Sequence, residues 1–309
     1  MYKVFTDGGH GTTGLKINEY ICKRKDIEVL EIDPEERKNP EARLAMIREA
    51  DVSILCLPDQ AAKEIAAAAP RDAVLIDTSS AHRTAEGWVY GMPELTAGQR
   101  DLIRNSTRIA NPGCHASGFI LLVRPLIEAG LLGTDALLTC FCMTGYSGGG
   151  KSMIAGYESE DRPVTMDSPA QYALGQSHKH LPEMVKMTGL ENAPCFSPVV
   201  GDFYSGMVMT VPLHRPQLLK PAGPDDIREV LKEYYSGEAL VKVMDEAPAD
   251  GFMYSNPMSG SNGMQLYVTG NQDRVLLMAS YDNLGKGASG AAVQNLNIVL
   301  GTEETTGLV

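Results

Sequence analysis

A single cysteine lies where the sequence pattern favours a nucleophile. Cys114 is in the run NPGCHASG, residues 111–118, between a strand predicted to end at Ala110 and a helix predicted over Ser117–Ala129. A helix N-terminus favours the thiolate, and a thiolate attacks carbonyl and acyl-phosphate carbon. The other five are predicted to be packing or surface residues: Cys22, Cys56, Cys140, Cys142 and, in a loop, Cys195. Cys114 is therefore the predicted catalytic residue.

Two histidines in one polar segment could move protons. His178 and His180 lie in GQSHKHLPEM, residues 175–184, and an imidazole acts as a general acid or base near neutral pH. On spacing alone, a catalytic and an ordinary structural role are equally compatible with this pair. A zinc site needs three or four converging ligands. No other residue at ligand spacing accompanies the pair, so we expect no metal.

A glycine-rich loop follows the first predicted strand, Tyr2–Thr6, and begins a helix predicted over residues 14–24. Glycines there let the backbone approach a pyrophosphate, which the helix N-terminus attracts. Strand, loop and helix occur in the order that dinucleotide binding requires, which favours that function over a structural turn. The predicted cofactor-binding residues of the loop are Gly8, Gly9, Gly11, Thr12, Thr13 and Gly14.

The charged residues after the second predicted strand bear on the choice of cofactor. Asp33 suits a free ribose 2′-hydroxyl and hence NAD, whereas Arg37 and Lys38 suit a 2′-phosphate and hence NADP. Spacing alone leaves both cofactors open. A solvated charged loop is the alternative interpretation for at least half of these residues.

Residues 145–152, GYSGGGKS, match the P-loop pattern GxxxxGK[ST]. A nucleoside triphosphate site also needs a helix from Lys151 and an acidic residue on a neighbouring strand. The following residues have only a weak helical pattern, which breaks by Pro163. We therefore interpret Ser147, Gly148 and Lys151 as a loop that contacts an anion, such as a substrate phosphate.

The elements that hold these motifs indicate two domains. Residues 1–114 alternate short apolar strands with helical patterns, which predicts a Rossmann-type doubly wound parallel α/β sheet. After Cys114, strand follows strand, which predicts an α+β catalytic and dimerisation domain with a mixed or antiparallel sheet over residues 115–283. The tail, 284–309, begins with a predicted helix over 284–301 and is assigned to the first domain. The predicted strands are Tyr2–Thr6, Ile27–Ile32, Val52–Leu57, Ala73–Ile76, Arg108–Ala110, Ala136–Met143, Gly206–Leu213, Val241–Val243, Gln265–Thr269 and Val275–Tyr281.

Composition excludes several classes of protein. The chain has 309 residues, 43% hydrophobic and 21% charged, with a formal net charge of −12, so a nucleic-acid-binding or membrane-surface protein is not expected. The sequence has no apolar run long enough for a membrane span, and no room for a signal peptide before the glycine loop. Six cysteines without a CxxC pair predict a reducing, cytoplasmic compartment.

Together these motifs make the chain similar to the N-acetyl-gamma-glutamyl-phosphate reductase family, in its shorter form. The resemblance covers almost the whole length and rests on YGMPE (90–94), NPGC (111–114), HKHLPE (178–183) and DNLGKGASGAAVQNLN (282–297). The wider semialdehyde dehydrogenase group resembles it in architecture. Aspartate-semialdehyde dehydrogenases, however, usually carry Asn before the cysteine, where this chain has Gly113.

The resemblance implies an NADP-linked reduction in arginine biosynthesis: N-acetyl-glutamyl 5-phosphate and NADPH give N-acetyl-glutamate 5-semialdehyde, NADP and phosphate. It implies Cys114 as the nucleophile, His180 as the acid and base, and Arg83 as the holder of the substrate carboxylate. It also implies a homodimer or homotetramer. The remaining assignments are Ser147, Gly148, Lys151 and His178 to the substrate and Ser79 and Asn283 to the cofactor. His10 and Asp33 depart from the family pattern.

Three other functions are compared with this one. An aspartate-semialdehyde dehydrogenase-like enzyme would reduce a different acyl phosphate. A P-loop NTPase built on residues 145–152 would hydrolyse ATP with magnesium and Lys151. A non-catalytic dinucleotide sensor would bind NADPH and never oxidise a semialdehyde in the presence of phosphate.

Overall fold

Two stretches of the chain, Met1–Gly113 and the residues from Ala288 onward, form one structural unit, and Cys114–Gly287 form another. The structure is a computed structural model that describes residues 1–308. The first unit therefore contains the glycine loop, and the second contains Cys114 and both histidines of the 175–184 segment.

Six strands of the first unit form one parallel sheet in the order β2-β1-β3-β4-β6-β5. The strands are β1 (Tyr2–Asp7), β2 (Ile27–Leu30), β3 (Val52–Leu55), β4 (Val74–Asp77), β5 (Val89–Tyr90) and β6 (Arg108–Ala110). The helices are α1 (Thr12–Ile21), α2 (Pro40–Glu49), α3 (Asp59–Ala68), α4 (Gln99–Arg104) and, after the second unit, α9 (Gly290–Leu300).

Burial explains why these strands form a parallel sheet. All four residues of β3 are buried, as expected for a strand covered on both faces. The strand order reverses between β1 and β3: the chain passes from β1 to β2 toward one edge of the sheet, and from β3 to β4 toward the other. Ligands bind at the carboxyl ends of the strands at such a switch point. The predicted Rossmann-type sheet is confirmed, while β5 and α4 were not predicted.

The second unit has a seven-stranded mixed sheet in the order β11-β12-β13-β10-β7-β9-β8. The strands are β7 (Thr139–Gly145), β8 (Ala170–Gln171), β9 (Cys195–Gly201), β10 (Met207–His214), β11 (Val241–Val243), β12 (Met264–Gly270) and β13 (Arg274–Tyr281). The helices are α5 (Cys114–Glu128), α6 (Gly150–Tyr157), α7 (Leu181–Thr188) and α8 (Pro224–Tyr234). Parallel pairing of β7 with β9 and antiparallel pairing of β10 with β7 and β13 confirm the predicted mixed sheet.

Three local predictions need correction. Cys195 begins β9 instead of lying in a loop. The weak pattern after the glycine-rich stretch is a true helix, α6, which ends at Tyr157, before Pro163. The tail helix is shorter than predicted, because Gly285–Ser289 form a π-helical turn and α9 begins at Gly290.

Along the described chain, no helix is both long enough and apolar enough to cross a bilayer.

Candidate active site

Cys114 is the first residue of α5, and a buried tyrosine holds this helix start in place. The Tyr281 hydroxyl donates to the Cys114 carbonyl at 2.6 Å and accepts from the Gly118 amide at 3.2 Å. Burial holds the pKa of Tyr281 well above its usual value, so the hydroxyl keeps its proton. A Cβ at Gly118 would lie 2.6 Å from that oxygen, so glycine is needed for the contact. The thiol is thus fixed at a helix N-terminus, as predicted.

His115 is the nearest ring to the thiol. Its Nδ1 lies 3.4 Å from the Cys114 Sγ, and its Nε2 lies 2.9 Å from the Tyr172 hydroxyl. Burial, with smaller contributions from His178 and Lys179, lowers the pKa of His115 to about 3, so its imidazole is neutral at physiological pH. Sequence reasoning did not single out His115; the signal was its position directly after the predicted nucleophile.

The rings of His178 and His180 lie close to that of His115. Each ring centroid is 5.3 Å from that of His115, and the two are 4.6 Å from each other. The His180 amide, at the start of α7, donates to Nδ1 of His178 at 3.2 Å. The buried Glu183 carboxylate lies 4.0 Å from Nε2 of His180. His178 therefore supports the backbone at the helix start, and His180 presents its ring beside a carboxylate.

The thiol and two imidazoles converge even though the segments that carry them are distant in sequence. The Sγ atom of Cys114 and one ring nitrogen each of His115 and His180 all lie within 4.8 Å of one another. Cys114 is partly exposed, whereas both histidines are buried. A nucleophile and a proton carrier at this separation are what acyl transfer through sulfur requires.

Asn283 and Ser147 form a second polar contact in this unit. The Asn283 amide donates to the Ser147 hydroxyl at 2.9 Å and accepts from the Gly206 amide, also at 2.9 Å. Both side chains are buried. Gly148 lies beside the pair, since a Cβ there would be 3.4 Å from the Asn283 amide nitrogen. Asn283 therefore shapes the glycine-rich loop, and Lys151 at the start of α6 is exposed.

The same loop does not have the properties of a P-loop. Phosphate cradling needs free backbone amides, but the amides of Gly145, Tyr146 and Ser147 donate to the carbonyls of Gly206, Phe203 and Tyr204. The acidic residue after the parallel neighbour β9 is Asp202, which pairs with Arg162 at 2.7 Å. The helix that a P-loop requires is present, but the anion cradle and the available carboxylate are not.

In the first unit, the glycine loop is shaped by close packing. Gly8 has a φ of +83°, a conformation that glycine alone adopts without strain. A Cβ at Gly14 would lie 2.6 Å from the Gly8 carbonyl oxygen, whereas one at Gly11 would meet nothing closer than 3.5 Å. Thr12 and Thr13 begin α1 directly after the loop. The loop is thus a backbone turn that presents a helix N-terminus, which fits a pyrophosphate.

A cavity of about 590 Å³ lies beside this loop. Its polar lining includes Gly8, Gly9, His10, Arg37, Lys38 and Arg43. Arg43 is fixed by a 2.7 Å ion pair with the buried Asp7 at the end of β1. Burial raises the pKa of Asp7, and the bond to Arg43 opposes that rise. The cavity therefore combines a backbone turn with the cationic side chains of Arg37 and Lys38, which suit an anionic dinucleotide, while Asp7 neutralises Arg43.

Asp33, Ser79 and Arg83 are held by local contacts. The Asp33 carboxylate accepts from the Glu35 amide at 2.9 Å. The Ser79 hydroxyl donates to the buried Asp77 carboxylate at 2.7 Å, and Asp77 also binds His82 at 2.6 Å. The Arg83 guanidinium is buried and donates to the carbonyls of Asn111 at 2.9 Å and Thr78 at 3.1 Å. These bonds fix the orientation of Arg83 at the carboxyl end of β4.

Known proteins resemble this chain over nearly its full length. Residues 8–103 match the model of the semialdehyde dehydrogenase NAD-binding domain, and residues 114–283 match that of the semialdehyde dehydrogenase dimerisation domain. N-acetyl-gamma-glutamyl-phosphate reductase 2 of Nostoc sp. is 44% identical, and the match covers 99% of each chain. N-acetyl-gamma-glutamyl-phosphate reductase of Brucella suis is 43% identical over 97% of this chain and 99% of the relative.

Solved structures share the fold at low identity. Aspartate semialdehyde dehydrogenase II of Vibrio cholerae, complexed with ASA, has a TM-score of 0.73 at 15% identity, over 97% of this chain and 98% of that one. The aspartate semialdehyde dehydrogenase of Candida albicans with NADP has a TM-score of 0.69 at 15% identity over the same shares. Both support the two-unit architecture alone.

Proposed function

The chain belongs to the semialdehyde dehydrogenase family and, within it, to the N-acetyl-gamma-glutamyl-phosphate reductases. From this premise we propose its reaction. It reduces N-acetyl-glutamyl 5-phosphate to N-acetyl-glutamate 5-semialdehyde with NADPH and releases phosphate, a step of arginine biosynthesis. The observation that carries the proposal is a ring nitrogen of His180 within 4.8 Å of the Cys114 Sγ at the start of a helix.

Cys114 carries the covalent part of the reaction. Its thiolate attacks the acyl carbon, the bond from that carbon to the phosphate oxygen breaks, and a thioester remains on the sulfur. A thioester accepts hydride, whereas a carboxylate does not. NADPH, held by the residues of the glycine loop, would supply that hydride, which leaves a thiohemiacetal on Cys114. The thiohemiacetal hydroxyl then returns its proton to His180, the carbon–sulfur bond breaks with its electron pair going to the sulfur, and the semialdehyde is released.

His180 carries the proton. It accepts the proton of the Cys114 thiol before attack and returns it to the oxygen of the thiohemiacetal. Backbone amides at the start of α5 stabilise negative charge on that oxygen, and a preorganised donor of this kind contributes about 3–4 kcal/mol. The Glu183 carboxylate lies 4.0 Å from Nε2 of His180, beside the ring that carries the proton.

Four residues of the second unit are assigned to the substrate. We assign the phosphate to the loop of Ser147, Gly148 and Lys151, because Lys151 provides an exposed cation at the start of α6, and we assign His178 to the substrate as well. Arg83 holds the substrate carboxylate, since its backbone contacts fix the guanidinium in one orientation. Ser79 and Asn283 are assigned to the cofactor. Of these two, Asn283 acts by shaping the loop that it hydrogen-bonds.

The cofactor is NADP rather than NAD. Asp33, which would favour a ribose hydroxyl, binds the Glu35 amide within its own turn. Arg37, Lys38 and Arg43 instead line the cavity beside the glycine loop. Arg43 is paired with Asp7, so Arg37 and Lys38 are the cations that favour a 2′-phosphate over a hydroxyl.

Arg37→Ala tests the cofactor assignment. We expect a weaker interaction with NADPH and an unchanged one with NADH, because only the 2′-phosphate loses a charge-assisted bond of about 1.5–3 kcal/mol. That loss corresponds to about tenfold or more in the NADPH dissociation constant, measured by fluorescence titration. Arg48→Ala, in the last turn of α2 and outside the cavity lining, is the control. Equal losses for both cofactors would contradict the NADP assignment.

Cys114→Ala tests the covalent mechanism. We expect loss of measurable turnover with NADPH binding intact, because the carbon–sulfur bond has no substitute. The assay follows NADPH formed from N-acetyl-glutamate 5-semialdehyde and phosphate, with aspartate semialdehyde as the competing substrate. Cys195→Ala, an exposed thiol at the start of β9, should keep full activity. Activity in Cys114→Ala would disprove the thioester route, and a preference for aspartate semialdehyde would reassign the substrate.

The protein acts in the cytoplasm as a homodimer or homotetramer, without a nucleic-acid or membrane partner. The second unit supports assembly, because its family model is described as a dimerisation domain. Its sheet also exposes the apolar side chains of Phe141 and Leu276. Light scattering after size-exclusion chromatography distinguishes these states from a monomer.

A further inference from the structure

We propose that Cys114, His115 and His180 form a binding site for a zinc-type divalent metal ion that blocks the nucleophile. Thiolate and imidazole are the ligands that zinc prefers in proteins. The proposed reaction uses only the thiol and His180, so the third converging group, His115, is not explained by turnover. The site inhibits the reaction, and the metal takes no part in the chemistry.

The geometry of the cluster is close to that of a tetrahedral site. Zinc bonds of about 2.3 Å to sulfur and about 2.0–2.1 Å to nitrogen set ligand separations of roughly 3.3–3.6 Å. Nδ1 of His115 already lies 3.4 Å from the Cys114 Sγ. All three ligand atoms lie within 4.8 Å of one another, so the His180 nitrogen needs to approach by no more than about 1.5 Å to complete the set.

A hydroxyl orients the ring of His115. The Tyr172 hydroxyl, 2.9 Å from Nε2 of His115, leaves Nδ1 directed at the sulfur. A hydroxyl or carboxylate on the far nitrogen of a ligating histidine fixes its orientation and strengthens its bond to metal. The partner of His115 is therefore already in place, and the Glu183 carboxylate lies 4.0 Å from Nε2 of His180.

Binding is a proton exchange without oxidation or reduction. The metal ion takes a lone pair from the Cys114 sulfur and one from each imidazole, and the thiol proton leaves to solvent. A water molecule fills the fourth position. The sulfur lone pair is then committed to the metal, so attack on the acyl phosphate stops until a chelator removes the ion.

Cobalt(II) provides a readout that does not depend on turnover. We expect one equivalent of Co²⁺ per chain to give the thiolate charge-transfer and tetrahedral ligand-field absorption bands, and Zn²⁺ to displace it. His115→Phe removes one ligand nitrogen and keeps the ring, so the zinc dissociation constant should rise by at least about tenfold. His214→Ala, an exposed histidine on β10, and Cys195→Ala should bind as the parent does.

Two further measurements complete the test. Zn²⁺ should slow alkylation of Cys114 by iodoacetamide, and EDTA should restore both alkylation and reductase turnover. Inhibition by zinc is expressed relative to the metal-free rate of each variant. NADPH binding and circular dichroism verify that His115→Phe is folded. His115→Gln repeats the zinc titration with a polar side chain at the same position. Unchanged zinc affinity in both variants, or a cobalt thiolate band that survives Cys114→Ala, would overturn the proposal. The cobalt titration uses no substrate, so it tests the metal site even if the proposed reductase function is wrong.

Discussion

At the scale of single residues, three histidines near one thiol have different positions and therefore different chemistry. His115 contacts the sulfur and is neutral, since burial lowers its pKa to about 3. His178 accepts the backbone amide of His180 through Nδ1. His180 has a ring nitrogen within 4.8 Å of the thiol and a carboxylate beside it, which makes it the best placed of the three to carry a proton.

We expect His180→Asn to slow turnover severely and His178→Asn to slow it less. Asparagine removes proton transfer at position 180, and general acid–base catalysis contributes about 100- to 10,000-fold in rate. At position 178, the asparagine oxygen can still accept the His180 amide. Steady-state kcat and KM for both variants give the comparison. The reverse ranking of kcat would mean that the wrong histidine has been assigned.

At the scale of elements, the cofactor loop depends on the glycine inside α1 more than on the one before it. A Cβ at Gly14 would overlap backbone atoms of Gly8 and Gly9, at 2.6 and 2.7 Å, which cannot move without reshaping the loop. A Cβ at Gly11 meets only ordinary contact distances. The two glycines of the same motif therefore serve different purposes, since Gly14 is needed for packing and Gly11 leaves room beside the loop.

Gly14→Ala should lower the free energy of unfolding by about 1–3 kcal/mol through overpacking. Gly11→Ala should lower it by less than about 1 kcal/mol, the usual size of a helix N-cap effect. Urea denaturation followed by circular dichroism measures both. Equal destabilisation by the two substitutions would show that the overlap at Gly14 relaxes at low cost.

Elements with a clear apolar run and clear boundaries could be predicted from the sequence, whatever their length. Strands β3 and β6 have apolar runs bounded by turn residues. Strand β9 was missed because its sequence, CFSPVVG, contains a proline, and proline weakens a strand pattern. The two-residue strands β5 and β8 have no period to detect.

The residues of the candidate site also differ in whether the sequence could predict them. Cys114 and His180 could be found because motifs surround them. Tyr281 and Tyr172 could not be found, because they reach the Cys114–His115 pair from strand ends distant in sequence. His115 was visible in the sequence, but only the fold brings His180 to it. Contacts between distant segments have no local pattern, and this limits what spacing can predict.

At the scale of the whole molecule, buried amides of the last helix connect the two stretches of the first unit. Asn295 on α9 is fully buried, and its side chain donates to the Gly91 carbonyl at 2.8 Å and to the Asn111 side chain at 3.1 Å. The same helix packs against α1 and α4. The C-terminal stretch is therefore an internal part of the nucleotide-binding unit.

Asn295→Leu should destabilise the protein by about 1–3 kcal/mol for each acceptor left buried without a partner. Val299→Ala, at a half-exposed position on the same helix, should cost less. Thermal unfolding measured by calorimetry gives the difference, and NADPH added to the sample should raise both melting temperatures by stabilising the folded unit. A melting temperature of Asn295→Leu equal to that of the parent would mean that α9 does not depend on these bonds.

The position of helix α9 in the sequence also affects the order in which the two units of the nascent chain can fold. The ribosome makes all of residues 114–287 after the sixth strand of the parallel sheet and before α9. The second unit is a single stretch and can therefore fold before α9, one of the helices of the parallel-sheet unit, has been made. Completion of the parallel-sheet unit thus requires residues that the ribosome adds after the whole of the thiol-bearing unit.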